Sequence, residues 1–416
     1  MITERNLSKI VFDPLSREFA KDPYRIYAKM RELDAPYFFD TMNVHLLSRY
    51  ADVEAAACNP LMVRSLDSFM PDEYIAEQQR LANFHEMPNH EKYVQLSMLE
   101  QDGEVHRRLR MLVLKEFSQT LIVRHREMIQ IYVDKLFDRL IDREVIDFIG
   151  DLAAYVPGHV IGNVLGVPDE DCPQLQLWSE NIVQYFDADR TPARKKLAEQ
   201  ASTEFGEYLK ILIAERARQP RADLLTTLVS ARDAGKMNED ELISLCMLIL
   251  AGGHSSTIDV LGNGMFALLK NPAQLQRLRR EPDLIQSAVQ EMFRYDSPLP
   301  YFHRYAAEEV EVMGRRYPKG TKFGLLYGSA NRDSTRFPDA DNFDIGRQPN
   351  RHVAFGRGAH LCLGNHLARL DMEIIFMTLL RRIDTIELVN DQAEYKPGLS
   401  ARGLESLAVR WQVAAQ

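Results

Sequence analysis

A cysteine in the C-terminal part of the chain lies among glycines and is followed by an apolar, alanine-bearing run. Residues 355–364 read Phe-Gly-Arg-Gly-Ala-His-Leu-Cys-Leu-Gly, with the cysteine at position 362. Glycine lets the backbone approach a flat ligand closely and adopt positive φ. A helix that begins just after Cys362 would direct unpaired N–H groups at the sulfur and lower the pKa of the thiol. The pattern predicts a thiolate that can ligate a metal, although a lone cysteine is more often a small buried side chain.

A second stretch combines two adjacent glycines with hydroxyl side chains. Residues 250–259 read Leu-Ala-Gly-Gly-His-Ser-Ser-Thr-Ile-Asp, inside an apolar run that predicts one long helix from about residue 238 to residue 269. Glycine inside a helix costs about 1 kcal/mol relative to alanine, so we expect something to compensate for Gly252 and Gly253. One such compensation is a local widening in which a hydroxyl replaces a backbone partner. The available hydroxyls are those of Ser255, Ser256 and Thr257.

Charged side chains at helical spacing form two further patterns. His106 and Arg110 share one face of a helix predicted to begin near Asp102, and hydrogen-bond donors so placed suit a carboxylate ligand. Glu291 and Arg294, three residues apart, can form an ion pair. Taken alone, each pattern is more often a solvated helix face.

In content and order, these patterns resemble the landmarks of the cytochrome P450 family, from about Phe12 to Trp411. The resemblance implies that Cys362 is the axial ligand of the iron of haem b. It implies further cofactor contacts from the loop around the cysteine, at Phe355, Gly356, His360 and Gly364. The haem propionates would be bound by His106, Arg110, Arg304 and His352.

The family binds dioxygen at its glycine-bearing helix, so the resemblance assigns catalytic roles to Gly252, Gly253, Ser255, Ser256 and Thr257. Ser255 and Ser256 stand where the family usually has an acid and a threonine. Ser256 keeps a hydroxyl that can form the same hydrogen bonds, whereas Ser255 cannot relay protons as a carboxylate does. Asp259 shares a helix face with Ser255 and could act through water, but a solvent-facing or structural role is at least equally compatible with its position.

Other family landmarks concern bracing of the cysteine loop, the substrate pocket and the electron donor. Glu291 and Arg294 match a buried ion pair of the family, and we expect Arg347 beside them. The candidate pocket residues are Leu299, Tyr301 and Met98. A basic patch for an acidic electron donor could be formed by Arg107, Arg108 and Lys115.

The resemblance implies a fold that is mainly α with a smaller β region (α+β), a triangular prism formed by one domain over residues 1–416. Haem would lie between the glycine-bearing helix and the cysteine loop. Alternating residues predict a strand pair at Ala35 to Phe39 and Val44 to Ser48. Residues 60–101 have poor periodicity and predict a long loop. By resemblance this loop covers the substrate pocket, and the alternative is a mobile surface loop that touches no substrate.

Composition narrows the class of protein. The 416 residues carry a formal net charge of −9, which argues against a nucleic-acid-binding surface. Four scattered cysteines fit a reducing compartment better than a disulfide framework. The N-terminal residues contain neither a signal-peptide core nor a membrane-spanning run, so we expect a cytoplasmic protein without membrane insertion.

The leading interpretation is a monooxygenase that uses dioxygen to oxidise a small hydrophobic substrate. Its electrons would come from a separate ferredoxin-type donor and reductase, because no flavin module is visible in the chain. Ser255 motivates an alternative, a haem-thiolate enzyme with altered oxygen chemistry such as peroxide use, oxidative coupling or rearrangement. A second alternative is a non-catalytic haem-binding sensor or carrier. A structural zinc site is disfavoured because no cysteine or histidine pair has zinc-ligand spacing near Cys362.

Overall fold

The computed structural model describes residues 10–413, most of which are helical. Its helices are Arg17–Lys21 (α1), Tyr24–Arg31 (α2), Tyr50–Cys58 (α3), Asp72–Leu81 (α4), Pro88–His90 (α5), Gly103–Leu114 (α6), Gln119–Ile122 (α7), Arg126–Leu140 (α8), Val156–Leu165 (α9), Cys172–Val183 (α10), Pro192–Arg218 (α11), Leu224–Asp233 (α12), Glu239–Gly252 (α13), Ser255–Lys270 (α14), Pro272–Arg280 (α15), Ile285–Tyr295 (α16), Tyr327–Ala330 (α17) and Asn365–Arg382 (α18). Its strands are Tyr37–Phe39 (β1), Val44–Leu47 (β2), Met62–Val63 (β3), Val145–Asp147 (β4), Tyr301–Ala306 (β5), Val310–Val312 (β6), Arg315–Tyr317 (β7), Lys322–Leu326 (β8), Ile383–Leu388 (β9) and Ala408–Val413 (β10). The predicted class, mainly α with a smaller β region, is confirmed.

Five strands form the largest sheet, in the order β1-β2-β8-β5-β3. β1 and β2 are antiparallel, which confirms the predicted strand pair. β8 pairs in parallel with β2, so that Phe323 lies opposite His45. β8 also pairs antiparallel with β5, where Lys322 lies opposite Tyr305. This sheet therefore joins strands from the first 63 residues to strands after residue 300.

The glycine-bearing segment forms two helices rather than one. α13 ends at Gly252 and α14 begins at Ser255. His254, between them, has φ −110° and ψ −80°, outside the helical region. A Cβ on Gly253 would lie 2.7 Å from Cγ1 of Ile161, so this glycine permits close packing on α9. The prediction of one continuous helix is wrong here, whereas the predicted distortion is present.

α13 and α14 run through the main hydrophobic core, which also takes side chains from α8, α9, α16 and α18. The segment Glu239–Lys270 is long and apolar enough by composition to cross a membrane. However, 67% of its most apolar window is buried inside the protein. Its apolar surface is therefore used for packing within the fold.

Residues 60–101 contain more structure than their poor periodicity predicts. They include β3, α4, α5 and a π-helical turn at Glu91–Gln95. α4 follows Pro71 and carries Asp72 and Glu73 in its first turn, which are ordinary signals of a helix start. None of its residues is buried, so no apolar periodicity marks it. The prediction of a long loop is therefore wrong for this part of the segment.

Candidate active site

Glycines hold the loop around Cys362 in conformations that other residues rarely adopt. Gly356 and Gly358 both have φ of 69°. A Cβ on Gly358 would lie 2.5 Å from the carbonyl oxygen of Ala57, so the loop packs directly on α3. The N–H of Cys362 donates to the carbonyl oxygen of Phe355 at 2.9 Å. The backbone thus fixes the position of the cysteine, which stays exposed.

The electrostatic environment of the thiol differs from the expectation. The protein packed around the sulfur of Cys362 is the largest influence and raises the pKa of the thiol. The N–H of Gly364 and the charges of Arg369 and Arg110 oppose this shift without overcoming it. α18 begins at Asn365 rather than directly after the cysteine. The predicted lowering of the thiol pKa is therefore wrong for the protein alone, although a coordinated metal deprotonates a thiol outright.

Two histidines and a buried arginine gather beside the cysteine loop. The ring centroids of His106 and His360 are 4.3 Å apart, and Nε2 of His360 lies 2.9 Å from Oδ1 of Asp102. Burial is the main cause that lowers the pKa of His360 to about 4, and the charge of Arg304 acts in the same direction. Burial also lowers the pKa of His106, with a smaller contribution from Arg304. The structure therefore brings these three predicted cofactor contacts together.

Arg110 reaches the cysteine loop from α6. Its Nη2 donates to the carbonyl oxygen of Leu361 at 2.6 Å. Gly364, a predicted cofactor contact, and Gly252, a predicted catalytic residue, both face open space, because a Cβ on either would meet no atom within 4 Å. A thiol, nearby cations and glycines that leave room fit a flat ligand that carries carboxylates.

His352 does not join this group. Its Nε2 lies 3.0 Å from Oε1 of Gln290 on α16, and its Nδ1 accepts from the N–H of Ala354 at 3.2 Å. Its ring stacks on Phe293 with an interplanar angle of 12°. Burial is the main cause that lowers its pKa to about 3. Both ring nitrogens therefore have protein partners, and the propionate contact of His352 stays a prediction.

The predicted ion pair connects α16 to the cysteine loop. Arg294 donates from Nε and Nη2 to the carboxylate of Glu291 at 2.7 and 2.8 Å, and both side chains are fully buried. Arg347, as predicted, lies beside the pair, with Nε 3.2 Å from Oε1 of Glu291. Arg294 also donates to the carbonyl oxygen of Asn331, whose Oδ1 accepts from the N–H of Val353 at 2.7 Å. This network therefore anchors the start of the cysteine loop.

The break between α13 and α14 opens on a cavity of about 600 Å³. Gly252, Ser255 and Ser256 line it, and the buried Oγ of Ser255 has no hydrogen-bond partner among residues 10–413. Neither Gly253, which packs on α9, nor Thr257 of α14 lines the cavity. Of the candidate catalytic residues, Gly252, Ser255 and Ser256 therefore face the cavity.

Asp259 also lines this cavity. Its Oδ1 lies 3.4 Å from Nζ of Lys396, whose side chain is 54% exposed. Burial raises the pKa of the Asp259 carboxyl. The carboxyl group packs closely on Gly403, where a Cβ would have no room. A buried carboxyl that contacts a half-exposed lysine can exchange protons between a cavity and solvent. The i+4 spacing from Ser255 was the sequence signal for this residue.

His254, by contrast, turns away from the cavity. Its ring packs on α9, where a Cβ on Gly158 would lie 3.0 Å from Cδ2. Burial lowers the pKa of His254 to about 4. A neutral imidazole packed in this way belongs to the core.

Most of the cavity wall is apolar and comes from segments far apart in sequence, with side chains including Leu66, Phe84, Val94, Ile182, Phe186 and Met247. Of the predicted pocket residues, Leu299 and Tyr301 line the cavity. Met98 does not line the cavity, and its side chain packs in the main core. The wall also contains three basic side chains that no sequence pattern indicated, those of Arg64, Arg190 and Lys322.

The protein-family model described as Cytochrome P450 matches residues 72–400, well over half of the chain. The chain belongs to the cytochrome P450 family. It is similar to a protein of Bacillus subtilis (strain 168) named Cytochrome P450, with 34% identity over 416 residues, covering 98% of this chain and 97% of the relative. It is also 32% identical over 409 residues to the cytochrome P450 monooxygenase PikC of Streptomyces venezuelae, covering 96% of this chain and 93% of PikC.

A solved structure shows the same fold. The crystal structure of P450BioI in complex with acyl carrier protein ligated to hexadec-9Z-enoic acid matches with a TM-score of 0.88 and 31% identity, covering 95% of this chain and 100% of that chain. This cytochrome P450 is therefore an oxidoreductase of a bacterial monooxygenase family that carries haem iron. The exposed Cys362, the neighbouring cations and the open space at Gly252 and Gly364 fit that cofactor.

Proposed function

We propose that this cytochrome P450 inserts one oxygen atom of dioxygen into a small hydrophobic molecule held in the 600 Å³ cavity. The observation that carries the proposal is that one largely apolar cavity extends to the hydroxyls of Ser255 and Ser256 at the α13–α14 break. The chain would act as one domain over residues 1–416 in the cytoplasm. Its electrons would come from a ferredoxin-type donor with its reductase.

Haem b would be held between the cysteine loop and the α13–α14 break. Cys362 would ligate the iron, Phe355, Gly356 and Gly364 would shape the loop around the sulfur, and the propionates would be bound by Arg110, His106, Arg304 and His360. When bound, haem supplies the redox chemistry that activates dioxygen, and its thiolate ligand favours cleavage of the O–O bond.

The residues on the cavity side would deliver protons. Ser256 and Ser255 can each donate and accept a hydrogen bond at the break. Asp259 lines the same cavity and contacts Lys396, which reaches solvent. We infer that Asp259, through water and these hydroxyls, takes over the proton supply that the family usually draws from an acid at the position of Ser255.

Ser255 also favours a second candidate function, altered oxygen chemistry such as peroxide use, oxidative coupling or rearrangement. Its unpartnered hydroxyl lies where the family has a carboxylate. Turnover with peroxide alone, compared with turnover on dioxygen plus ferredoxin and reductase, separates the two functions. Efficient product formation per electron with dioxygen would exclude the second.

One of the three basic residues predicted for donor docking is paired within the fold. Arg108 is committed to α13, because its Nη2 lies 2.6 Å from Oε1 of Glu241. Arg107 and Lys115 remain exposed on and beside α6. We therefore propose that these two residues, without Arg108, contribute to docking of an acidic donor.

Cys362→Ser tests the haem assignment directly. The variant is expected to lose the red-shifted Soret band of the reduced carbon-monoxide complex, because serine cannot supply the thiolate. Cys58→Ser, at an exposed cysteine of α3, is the matched control and should keep the band. A Cys362→Ser protein that retains the band would contradict the axial assignment.

A further inference from the structure

One wall of the cavity presents polar side chains from two neighbouring strands. Because side chains alternate along a strand, Tyr301, His303 and Tyr305 share one face of β5, and all three line the cavity. Lys322 of β8 lies opposite Tyr305 and lines the same wall. Arg190, from the connection between α10 and α11, reaches this wall as well.

Lys322 has no counter-ion in this wall. Its Nζ lies 5.7 Å from the centroid of the Tyr305 ring and forms no hydrogen bond or ion pair with any residue between 10 and 413. Burial is the largest cause that lowers the pKa of Lys322 to about 7. The charges of Arg190 and Arg64 act in the same direction, and the carboxylate of Glu100 opposes the shift without overcoming it. An anion beside this ammonium would stabilise its charged form.

Arg190 is hydrogen-bonded but not neutralised. Its guanidinium donates to the carbonyl oxygens of Tyr185, Ala82 and Phe186 at 3.2 to 3.3 Å, and it stacks 4.4 Å from the centroid of the Phe84 ring. No carboxylate of residues 10–413 lies within ion-pair distance of it. Carbonyl groups satisfy donors but carry no net charge, so the wall keeps this positive charge.

The carboxylate of Glu100, which lines the same cavity, already has partners. Glu100 forms an ion pair with Arg64, and its other oxygen lies 3.7 Å from Nε2 of His303. Burial strongly lowers the pKa of His303, so this imidazole is neutral. Arg190 and Lys322 are therefore the cations of the wall that have no ion-pair partner among residues 10–413.

A hydroxyl in the same wall also lacks a partner. The phenol oxygen of Tyr301 is buried and has no hydrogen-bond partner among the described residues, and the residue is only 5% exposed. Gly324 on β8 makes room for its ring, because a Cβ there would lie 2.6 Å from Cε2 of Tyr301. A buried hydroxyl without a partner costs free energy unless a ligand or water supplies the bond.

We propose that Lys322, Arg190 and the hydroxyl of Tyr301 form a subsite for the carboxylate of the substrate. The substrate class is then an amphipathic monocarboxylate whose apolar body lies along the largely apolar remainder of the cavity, towards Ser255 and Ser256. Two half-buried cations and one buried hydroxyl donor offer the charge-assisted hydrogen bonds that a carboxylate accepts. The position of the reacting end rests on the proposed function, whereas the carboxylate subsite does not.

Arg190 is unsuited to a clean test, because its three carbonyl partners give it a structural role as well. Lys322→Met removes only the charge from a side chain of similar length, and Tyr301→Phe removes only a hydroxyl. Lys322→Arg keeps the charge and reports on folding of the position. Lys319→Met, at an exposed lysine three residues earlier, is the matched control.

The experiment is isothermal titration calorimetry of the haem-loaded protein with three ligands of one chain length: dodecanoate, dodecan-1-ol and dodecylammonium. A charge-assisted hydrogen bond predicts that the wild type binds dodecanoate roughly tenfold more tightly than the alcohol, and the ammonium more weakly than both. Lys322→Met is expected to remove most of this preference while alcohol binding changes less than about threefold. Tyr301→Phe should reduce the preference by about threefold, and Lys319→Met and Lys322→Arg should keep it.

Equal binding of dodecanoate and alcohol by the wild type would overturn the proposal. So would a Lys322→Met protein that loses affinity for both ligands equally, since that result indicates a general packing role. The reduced carbon-monoxide spectrum of each variant is recorded in parallel. A normal carboxylate preference with an abnormal spectrum would count against the proposed function alone. A normal spectrum without a carboxylate preference would count against the subsite alone.

Discussion

The cysteine loop and the cavity wall border the same region of the molecule, but their polar groups are satisfied differently. On the loop, the N–H of Cys362 is bonded within the backbone, Arg110 donates to Leu361, and His360 contacts Asp102. In the cavity wall, the hydroxyls of Ser255 and Tyr301 have no partner among residues 10–413.

This difference separates fixed groups from groups that await a ligand. Second-layer hydrogen bonds fix a metal ligand in one position, and such support is costly to remove. A buried polar group without a hydrogen-bond partner is stabilised most when substrate or water forms that bond. Substitutions on the loop side should therefore reduce the free energy of unfolding, whereas substitutions in the cavity should change ligand handling.

The largest effect is expected for Glu291→Gln, which leaves Arg294 buried without its counter-charge. Breaking a buried ion pair by removing one partner costs about 3–5 kcal/mol. Urea unfolding followed by circular dichroism measures the loss. The matched control is Glu394→Gln. Glu394 pairs with Arg17, whose side chain is 65% exposed, so loss of this pair should cost less than about 1 kcal/mol. Equal losses in the two variants would remove the distinction between the loop side and the surface.

Gly358→Ala should have the next largest effect. Alanine at φ of 69° is strained by about 1–2 kcal/mol, and its Cβ would also press on the carbonyl oxygen of Ala57. Gly235→Ala isolates the strain alone, because Gly235 has φ of 70° and open space around it. The difference between the two free energies of unfolding measures how tightly the loop packs on α3. If there is no difference, the loop is free to move away from that helix.

Asp371 is one exception to this pattern on the loop side, and its variant should be stabilised. Asp371 of α18 is buried, its Oδ1 has no partner within residues 10–413, and burial raises its pKa well above the ordinary value. The folded protein therefore holds a proton that the unfolded chain releases, so stability falls as pH rises from the unfolded pKa to the folded one. Asp371→Asn should gain about 1 kcal/mol or more over the wild type at pH 8, and less at pH 5. Denaturant titrations at the two pH values measure this, and a gain that does not grow with pH would contradict the assignment.

The smallest effect on stability, with a clear effect on chemistry, is expected for Asp259→Asn. The free energy of unfolding should change by less than about 1 kcal/mol, because the lost partner Lys396 stays hydrated. Product formed per electron consumed should fall by about threefold or more if Asp259 supplies protons. Ser255→Asp in the same background should restore part of it. Unchanged coupling in the single variant would mean that another group or a water chain delivers the protons.

Sequence patterns predicted those features whose residues lie close together along the chain. The cysteine loop, the Glu291–Arg294 pair and the distortion after Gly252 depend on spacing within one element and its turn. Loop glycines at positive φ and an i,i+3 pair are visible without knowledge of the tertiary structure.

Features formed across the fold could not be predicted in this way. His352 precedes the cysteine loop at a family position, yet its orientation depends on Gln290 and Phe293 from another helix. Met98 packs into the main core, and Thr257 is buried, although both lie close to the site in sequence. Lys322 of β8 and Arg190, from the connection between α10 and α11, come together only in the folded protein. The periodicity of a sequence segment does not indicate such contacts.

The sheet that carries this wall also determines when the wall can form. β2 pairs in parallel with β8, and the paired residues His45 and Phe323 are separated by about 280 residues of chain. At a synthesis rate of about 5–20 residues per second, the edge of β2 would wait roughly 15–60 s for its partner. During that interval the N-terminal strands expose unpaired backbone groups, the usual template for aggregation. Translation speed and chaperone supply should therefore affect the yield of this protein.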